Sequence, residues 1–595
     1  MIIYVFLSLN TLSIHTIFNT LTIKMSVISI VTPSTGARKS NNLIVVVDKS
    51  GSMCEAANSK GEGISRMFSK NDLSKHSIEI VARSLSDDDT LEIITYDSVV
   101  ATLLPRTRMN TQGKEAAITA IKRISPGGGT ALWDGLKTAM NAAKKTETEL
   151  GDACVIMITD GVPSSSPRAG EVAELKSLRS QTENTCRLHT IGLGYEINSS
   201  LLYDLANDDC GGSFIFIPDG SMTITAWVNL LANEMSIVDT KVRVMVDDVL
   251  VNTIGTVKYG QPFNVHLNTA INPSSTVSTQ CKNEIVAKLC TPDSSTHEVI
   301  KSAALNALKN IIRIGKADLS GAKTILQTFV KQHNIHSIPI MDDLLGQVAE
   351  GLASENARNK WGMHHIRSLV SAHTNQNCLN FKDPGPMAYN SEYIETMRDM
   401  VDVVANSIDP PVPSLSYGNQ QIDTRTFAQS FNNQSGGCFG GYCYVLMNDG
   451  SYKYVKDIQA GDIVYGAAKV LCVVTQNNCN TVSIMNNLCI TPWHPVNVNG
   501  KWIFPDNITN SGYVLQEVVY NFVLDTVHTI IVNSTIACTL GHGFKGDVIE
   551  HDFYGTQKVH DSLQKFPSYS SGVVHLSENN VVRSNETGCV CDYTV

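Results

Sequence analysis

A cysteine preceded by two glycines, in Gly436-Gly437-Cys438-Phe439, is followed further along the chain by Thr491-Pro492-Trp493-His494. These residue types are the parts a thiol needs to attack the carbonyl that precedes it. An amide is a poor electrophile, so attack requires distortion of the peptide and a proton for the departing nitrogen. Cysteine reacts as thiolate, which calls for exposure and a nearby base or positive charge. Thr491 can polarise or hydrogen-bond the scissile amide, and His494 can protonate the leaving amine. Gly437 removes bulk at the carbonyl. The product would be a thioester at Gly437, open to water, a thiol, an amine or an alcohol. Taken singly, His494 reads as a buried structural histidine, and only the joint pattern makes it catalytic. Cys443 competes for the nucleophile role, but Gly436-Gly437 directly precedes Cys438 instead, and Cys538 and His542 are secondary candidates for accepting or assisting the acyl group.

A second set of residues could hold a metal. Asp48-Lys49-Ser50-Gly51-Ser52 follows the apolar run Asn42–Val47, Thr130 ends Gly127-Gly128-Gly129-Thr130, and Asp160 stands in Ile158-Thr159-Asp160-Gly161. Carboxylates and hydroxyls are hard oxygen donors suited to Mg2+, or Mn2+ in its place. In open parallel sheets ligands gather at the carboxyl ends of strands, which is where these residues fall. The competing reading is that they cap helices and hold turns, as Ser and Asp often do.

The elements that must position these groups change along the chain. Over 42–235 short apolar strands alternate with helical periodicity, which predicts a doubly wound, mostly parallel α/β sheet. Residues 236–292 read as a small β-rich segment and 293–401 as a helical region. Residues 402–434, with Pro410, Pro411 and Pro413, read as a linker. Residues 435–545 return to short strands separated by turns, an all-β module, and 546–595 read as a polar tail. The extension 1–41 opens with an uncharged apolar stretch, either a signal anchor or a spurious start before Met25. Elsewhere no window resembles a membrane span.

The first set of motifs resembles the von Willebrand factor A (vWA) domain and its metal-ion-dependent adhesion site, on Asp48-x-Ser50-x-Ser52, Thr130 and Asp160, with Thr190-Ile-Gly-Leu-Gly194 and Gly211-Gly-Ser-Phe214 in support. The resemblance implies that Ser50, Ser52 and Thr130 touch the metal directly, that Asp48 and Asp160 stand behind them, and that a protein partner supplies an Asp or Glu. Cys54–Ser69 is a polar insertion that departs from the pattern and could form a lid. The second set resembles the Hint module of hedgehog autoprocessing domains and inteins, an all-β horseshoe. It rests on Cys438-Phe439, Val445, Gly450, Gly461-Asp462, Thr491-x-x-His494, Val519–Leu524, His528 and Val532-Asn533. This resemblance implies Cys438 as nucleophile, with Thr491, His494 and His528 in the catalytic set. No His-Asn pair ends the module, so splicing is not expected. The order of parts is similar to that of vWA-Hint proteins of eukaryotes and large viruses.

Two functions from different classes stand open. One is a metal-dependent binding protein that cuts itself at Gly437–Cys438 and passes Gly437 to an acyl acceptor, a lysine amine among the possibilities. The other is a non-enzymatic interaction protein with a degenerate Hint module. The net charge of −10 over 595 residues and the lack of a basic run argue against nucleic acid as a partner. Fifteen scattered cysteines read as free thiols of an intracellular, cytoplasmic chain. His364, His365, His373 and Cys378 lack zinc-ligand spacing and read as packing. Cys589-x-Cys591 reads as part of a flexible tail.

Overall fold

The computed structural model describes residues 26–57, 67–182, 186–207, 210–218, 222–267, 269–281, 283, 285–290, 292–314, 317–333, 338–379, 384–415, 437–505, 508, 514–545, 548–577, 580–583 and 590–595. The apolar N-terminal stretch, most of the insertion before Ser69, Gly436 and Cys589 lie outside the described residues.

The first strand, β1 (Ser26–Val31), precedes an α/β domain whose strands are β2 (Asn42–Asp48), β3 (Thr90–Tyr96), β4 (Val100–Arg108), β5 (Cys154–Thr159), β6 (Arg187–Leu193) and β7 (Phe214–Ile217). They form one sheet in the order β4-β3-β2-β5-β6-β7. All pairs are parallel except β3 with β4. Every residue of β2, β5 and β6 is buried, as continuous apolar strands covered on both faces must be. Strand β4, which contains Pro105, is the antiparallel edge where a proline is tolerated.

Helices cover both faces, and the helical region belongs to the same cores. Ile300, Leu308, Phe329 and Ile366 share one apolar cluster with Ile44, Val46 and Met157. Val401, Ala405 and Ile408 join the opposite cluster with Val45 and Ile156. The helix Met363–Asn375 also closes the free edge of β7, because the Ser371 and Ser368 hydroxyls accept the Phe214 and Phe216 amides at 2.9 and 3.1 Å. An exposed row of strand amides is thereby satisfied. His364 contacts Ser199 and Tyr195 through its two ring nitrogens and packs on Phe216, which supports the packing reading of that histidine.

The β-rich segment contains β8 (Ile237–Val246), β9 (Val249–Lys258), β10 (Phe263–Leu267), β11 (Val277–Gln280) and β12 (Val286–Leu289). Here the expectation for residues 1–41 needs correction: β1 is the central strand between β10 and β12 rather than part of an extension. Local periodicity could not reveal a partner so distant in sequence. The start of the linker is corrected too, since the helix Glu392–Ser407 carries an apolar face into the α/β core and ends only at Ser407.

The C-terminal module is mainly β, with a short helix at Gln557–Leu563. Its strands are β13 (Phe439–Gly440), β14 (Tyr444–Leu446), β15 (Tyr452–Tyr454), β16 (Ile463–Val464), β17 (Ala468–Ile484), β18 (Leu488–Ile490), β19 (Val496–Val498), β20 (Lys501–Ile503), β21 (Val514–Leu524), β22 (Thr529–Val532), β23 (Thr535–Cys538) and β24 (Val573–Leu576). One sheet runs β16-β17-β18-β13-β21, the other β15-β14-β22-β23-β19-β20. The supposed tail is structured: β24 pairs in parallel with β17, and Phe553, Val559, Leu563 and Phe566 bury against Cys472, Val474 and Val523.

Burial lowers the proton affinity of His76 to about 4, of His373 to about 3 and of His494 to about 4. The unfolded chain binds these protons near pH 6.5, so the stabilisation is complete above that value and is lost as pH falls toward 4. Each group adds a slope of about 1.4 kcal/mol per pH unit in that window. Thermal melts followed by circular dichroism from pH 7.5 to 4.5 should show Tm falling below pH 6.5, and replacing His494 by Gln should flatten the fall.

Candidate functional site

At one end of the parallel sheet, register brings two acids together. Asp48 closes β2 opposite Tyr96 of β3, Val47 pairs with Ile158 of β5, and Asp160 follows directly after Thr159. Asp48 is fully buried, with Oδ1 accepting the Ser50 amide at 2.8 Å and Oδ2 accepting the Thr159 hydroxyl at 2.5 Å. Burial pushes its carboxyl upward, and the hydrogen bonds from Ser50 and Thr159 pull it partly back. The Ser50 and Ser52 hydroxyls lie 3.1 Å apart, and Ser52 donates to Asp160 Oδ1 at 2.8 Å.

The glycine-rich loop delivers Thr130 to the same place. Gly51 donates to the Gly128 carbonyl and Gly127 to the Lys49 carbonyl, which ties the two loops together. Gly128 takes a φ of +77°, a left-handed turn that suits glycine. A Cβ on Gly161 would stand 3.7 Å from both Ser52 Oγ and Thr130 Oγ1, so the two hydroxyls flank that glycine. The structure therefore gathers Asp48, Ser50, Ser52, Thr130 and Asp160 at one spot. The donors are all oxygens, and Asp160 Oδ2 already draws a cation, the Lys70 ammonium at 2.7 Å. This donor set fits a hard divalent ion. Lys70 was not foreseen from the sequence; its only local signal is a cation at the start of a helix.

A second group of ligand types, Cys154, His189 and Glu234, lies buried between β5, β6 and the helix Thr223–Met235. Its hydrogen bonds oppose a metal. His189 Nδ1 accepts the Ser213 amide, which leaves Nε2 to donate to Glu234, while Arg187 pairs with the same carboxylate at 2.9 Å. Burial alone would raise Glu234, but Arg187 and His189 outweigh it and hold the group well below the usual carboxylate range. The positive charge there is supplied by protein.

In the C-terminal module, β13 lies between β18 and β21, with Phe439 opposite Ile490 on one side and Tyr520 on the other. That register puts Cys438 beside Thr491 and Asn521. The Cys438 amide donates to Thr491 Oγ1 at 2.7 Å, and the Thr491 amide donates to the Cys438 carbonyl at 2.9 Å. Asn521 Nδ2 donates to the Gly437 carbonyl oxygen. His494 is 1% exposed, packs on Phe439, and touches Gly437 so closely that a Cβ there would fall 2.3 Å from its Cγ.

The protonation state of His494 follows from its contacts. Nε2 lies 2.7 Å from the Cys538 carbonyl, which can only accept, so Nε2 carries the proton. Nδ1 keeps its lone pair and is buried without a hydrogen-bond partner among the described residues. Burial holds the ring neutral, with a proton affinity lowered to about 4. Cys538 thus meets His494 through its backbone carbonyl.

Two expectations are modified. Cys438 is not exposed: at 6% exposure it sits in an apolar niche with Cys479 and Val519, and burial pushes its thiol far upward. Its resting form is the thiol. His528 stands in the turn between β21 and β22, with its ring centroid 6.4 Å from that of His560 and its carbonyl accepting the Thr539 amide. Among the described residues its contacts are with Thr526, Thr539 and His560 rather than with Gly437. Asn521 was missed as a site residue; its sequence signal is a single polar residue in the apolar strand Val519–Leu524, buried to 3% exposure.

Comparisons agree with this division of the chain. Family models match a von Willebrand factor type A domain over residues 43–162, a VWA / Hh protein intein-like region over 336–403 and a Hint-domain over 437–592. Among solved structures, a von Willebrand factor type A protein from Catenulispora acidiphila is 14% identical, covering 52% of this chain and 84% of its own, with a TM-score of 0.37. The ArnB paralog VWA2 from Sulfolobus acidocaldarius is 17% identical, covering 59% and 94%, with a TM-score of 0.38. No curated protein matches the chain. The chain joins a von Willebrand factor type A domain to a C-terminal Hint domain and has the architecture of a vWA-Hint protein.

Proposed function

We propose that this vWA-Hint protein binds a protein partner through a divalent ion on its vWA domain and cleaves itself at Gly437–Cys438 through a thioester, without splicing. One observation carries the cleavage reading: the Gly437–Cys438 peptide is held at both ends, its carbonyl by Asn521 and its N–H by Thr491, against a neutral imidazole. Gly437 is the residue this contact demands.

The step balances as an N-to-S acyl shift. Cys438 Sγ bonds to the Gly437 carbonyl carbon as its proton passes to His494 Nδ1. The Asn521 amide stabilises the charge on the Gly437 oxygen, as a preorganised oxyanion donor does. His494 then returns the proton to the Cys438 nitrogen, and the C–N bond breaks. The result is a Gly437 thioester on Cys438 and a free amine. Water, a thiol, an alcohol or a lysine amine takes the acyl group next. Because the resting thiol is protonated, sulfur attack and proton transfer to His494 must be coupled. The deep burial of Cys438 favours the second reading, in which the Hint domain is inert and only makes contacts.

On the vWA domain, Ser50, Ser52 and Thr130 would hold Mg2+ or Mn2+ directly, with Asp48 and Asp160 orienting the serines. A bound ion supplies a Lewis-acidic position that a partner's carboxylate completes. The free thiols of the described residues fit a reducing compartment such as the cytoplasm. Among the described residues no helix is long and apolar enough to cross a membrane.

Intact mass of the expressed chain, with and without hydroxylamine or excess thiol, tests the cleavage. Fragments meeting at Gly437–Cys438, absent in Cys438→Ala, are expected; an uncut mass in every sample would leave the contact-only reading. Asn521→Ala should slow thiol-induced cleavage by about 100-fold or more, the usual loss of one oxyanion donor. Gly437→Ala should stop it, because the added Cβ meets the His494 ring at 2.3 Å. For the metal, calorimetric titration with Mn2+ should give one site per chain, weakened at least tenfold in Ser52→Ala by loss of a direct ligand; unchanged binding would exclude this donor set.

A further inference from the structure

Lys70 is the first residue of the helix Lys70–Ser84, a position where a cation opposes the helix dipole. Its side chain is 13% exposed and turns away from solvent into the oxygen cluster, where Nζ meets Asp160 Oδ2 at 2.7 Å and Glu55 Oε2 at 2.8 Å. Asp160 itself has no exposed side-chain surface. A buried carboxylate needs a counter-charge, and here a tethered ammonium supplies it at the carboxylate that also accepts the Ser52 hydroxyl.

The same helix end grips a distant part of the chain. Ser69 and Asp72 form a capping box, with the Ser69 amide donating to Asp72 Oδ2 at 2.8 Å and the Asp72 amide to Ser69 Oγ at 3.2 Å. Asp72 Oδ2 accepts two more bonds, from the Ser414 amide at 3.0 Å and the Ser414 hydroxyl at 2.7 Å. The Leu415 amide donates to the Met67 carbonyl at 3.0 Å. Beyond Leu415 the chain runs on toward Gly437. The residues beside Lys70 therefore clamp the start of the connection to the Hint domain.

We propose that Lys70 is an internal cation that occupies Asp160 until a divalent ion displaces it, and that this exchange loosens the clamp on Ser414 and Leu415. The inference rests on the metal reading above. A divalent ion held by Ser50, Ser52 and Thr130 would give Asp160 a second, doubly charged counter-ion through the Ser52 hydroxyl it already accepts, and the ammonium beside it would be repelled. Lys70 then retains only Glu55, which is 67% exposed, and the first helical turn settles anew. Ser69 and Asp72, its neighbours in that turn, carry the change to Ser414.

The test uses the full chain with Mn2+ as probe. Lys70→Met should bind Mn2+ about tenfold or more tightly than wild type, because a charge-assisted contact no longer competes. Lys70→Arg, which keeps the cation, should restore affinity to near the wild-type value. In wild type, Mn2+ should speed hydrogen exchange at the Ser414 and Leu415 amides; in Lys70→Met both should already exchange fast and ignore the ion. Equal affinity in wild type and Lys70→Met overturns the displacement alone. Unchanged exchange at both amides while Mn2+ binds overturns the relay. Absence of Mn2+ binding to all three proteins overturns the metal reading and this inference together.

Discussion

Phe439 pairs with β18 on one side, Phe439 and Gly440 with β21 on the other, and this register decides which atoms surround the Gly437–Cys438 peptide. Side chains alternate across a strand, so a slip of one residue along β21 would put Tyr520 or Phe522 where Asn521 now meets the Gly437 carbonyl. The register is fixed by burial: Phe439 and Phe522 are fully enclosed and their rings stack with centroids 6.2 Å apart. Burying each aromatic side chain is worth on the order of 2 kcal/mol, so the two together outweigh the net ~1 kcal/mol of the single amide contact they position. Packing sets the geometry, and the hydrogen bonds of the site follow from it.

The vWA domain solves the corresponding problem with a parallel sheet. Its strands are buried on both faces, so they end at a common rim, and polar residues can appear only after the last apolar position. Asp48 and Asp160 stand at that rim because Val47 and Ile158 pair beneath them. The helical region supports this arrangement by filling both faces, and residues as late as Ile408 belong to the core that holds β2. The metal-type cluster and the helices far downstream therefore share one packed body.

Much of this was legible in the sequence, for physical reasons that differ by residue. Asp48, Ser50, Ser52, Thr130 and Asp160 could be found because each follows a recognisable apolar strand or glycine turn. Cys438 and His494 could be found because thiol and imidazole chemistry demands them together. Asn521 and Lys70 were not, since an Asn in a strand and a Lys at a helix start acquire meaning only through partners brought from elsewhere. The pairing of β1, the docking of 548–577 on the Hint sheet and the burial of Cys438 share that cause. Each depends on contacts between segments that periodicity treats separately.

The placement of β1 has a consequence for synthesis. It emerges before the α/β domain, yet its neighbours β10 and β12 emerge after it. At translation rates of ~5–20 residues per second, the roughly 230 residues between β1 and β10 take about 10–50 s to appear. Throughout that interval a strand bearing Val27, Ile28 and Ile30 waits without either partner, a template for misplaced pairing. The vWA domain must form as a loop tied off late at its base, so β1, made before that domain, is satisfied only after it. Ribosome-bound chains ending before Phe263 are thus the ones in which a chaperone would have most to cover.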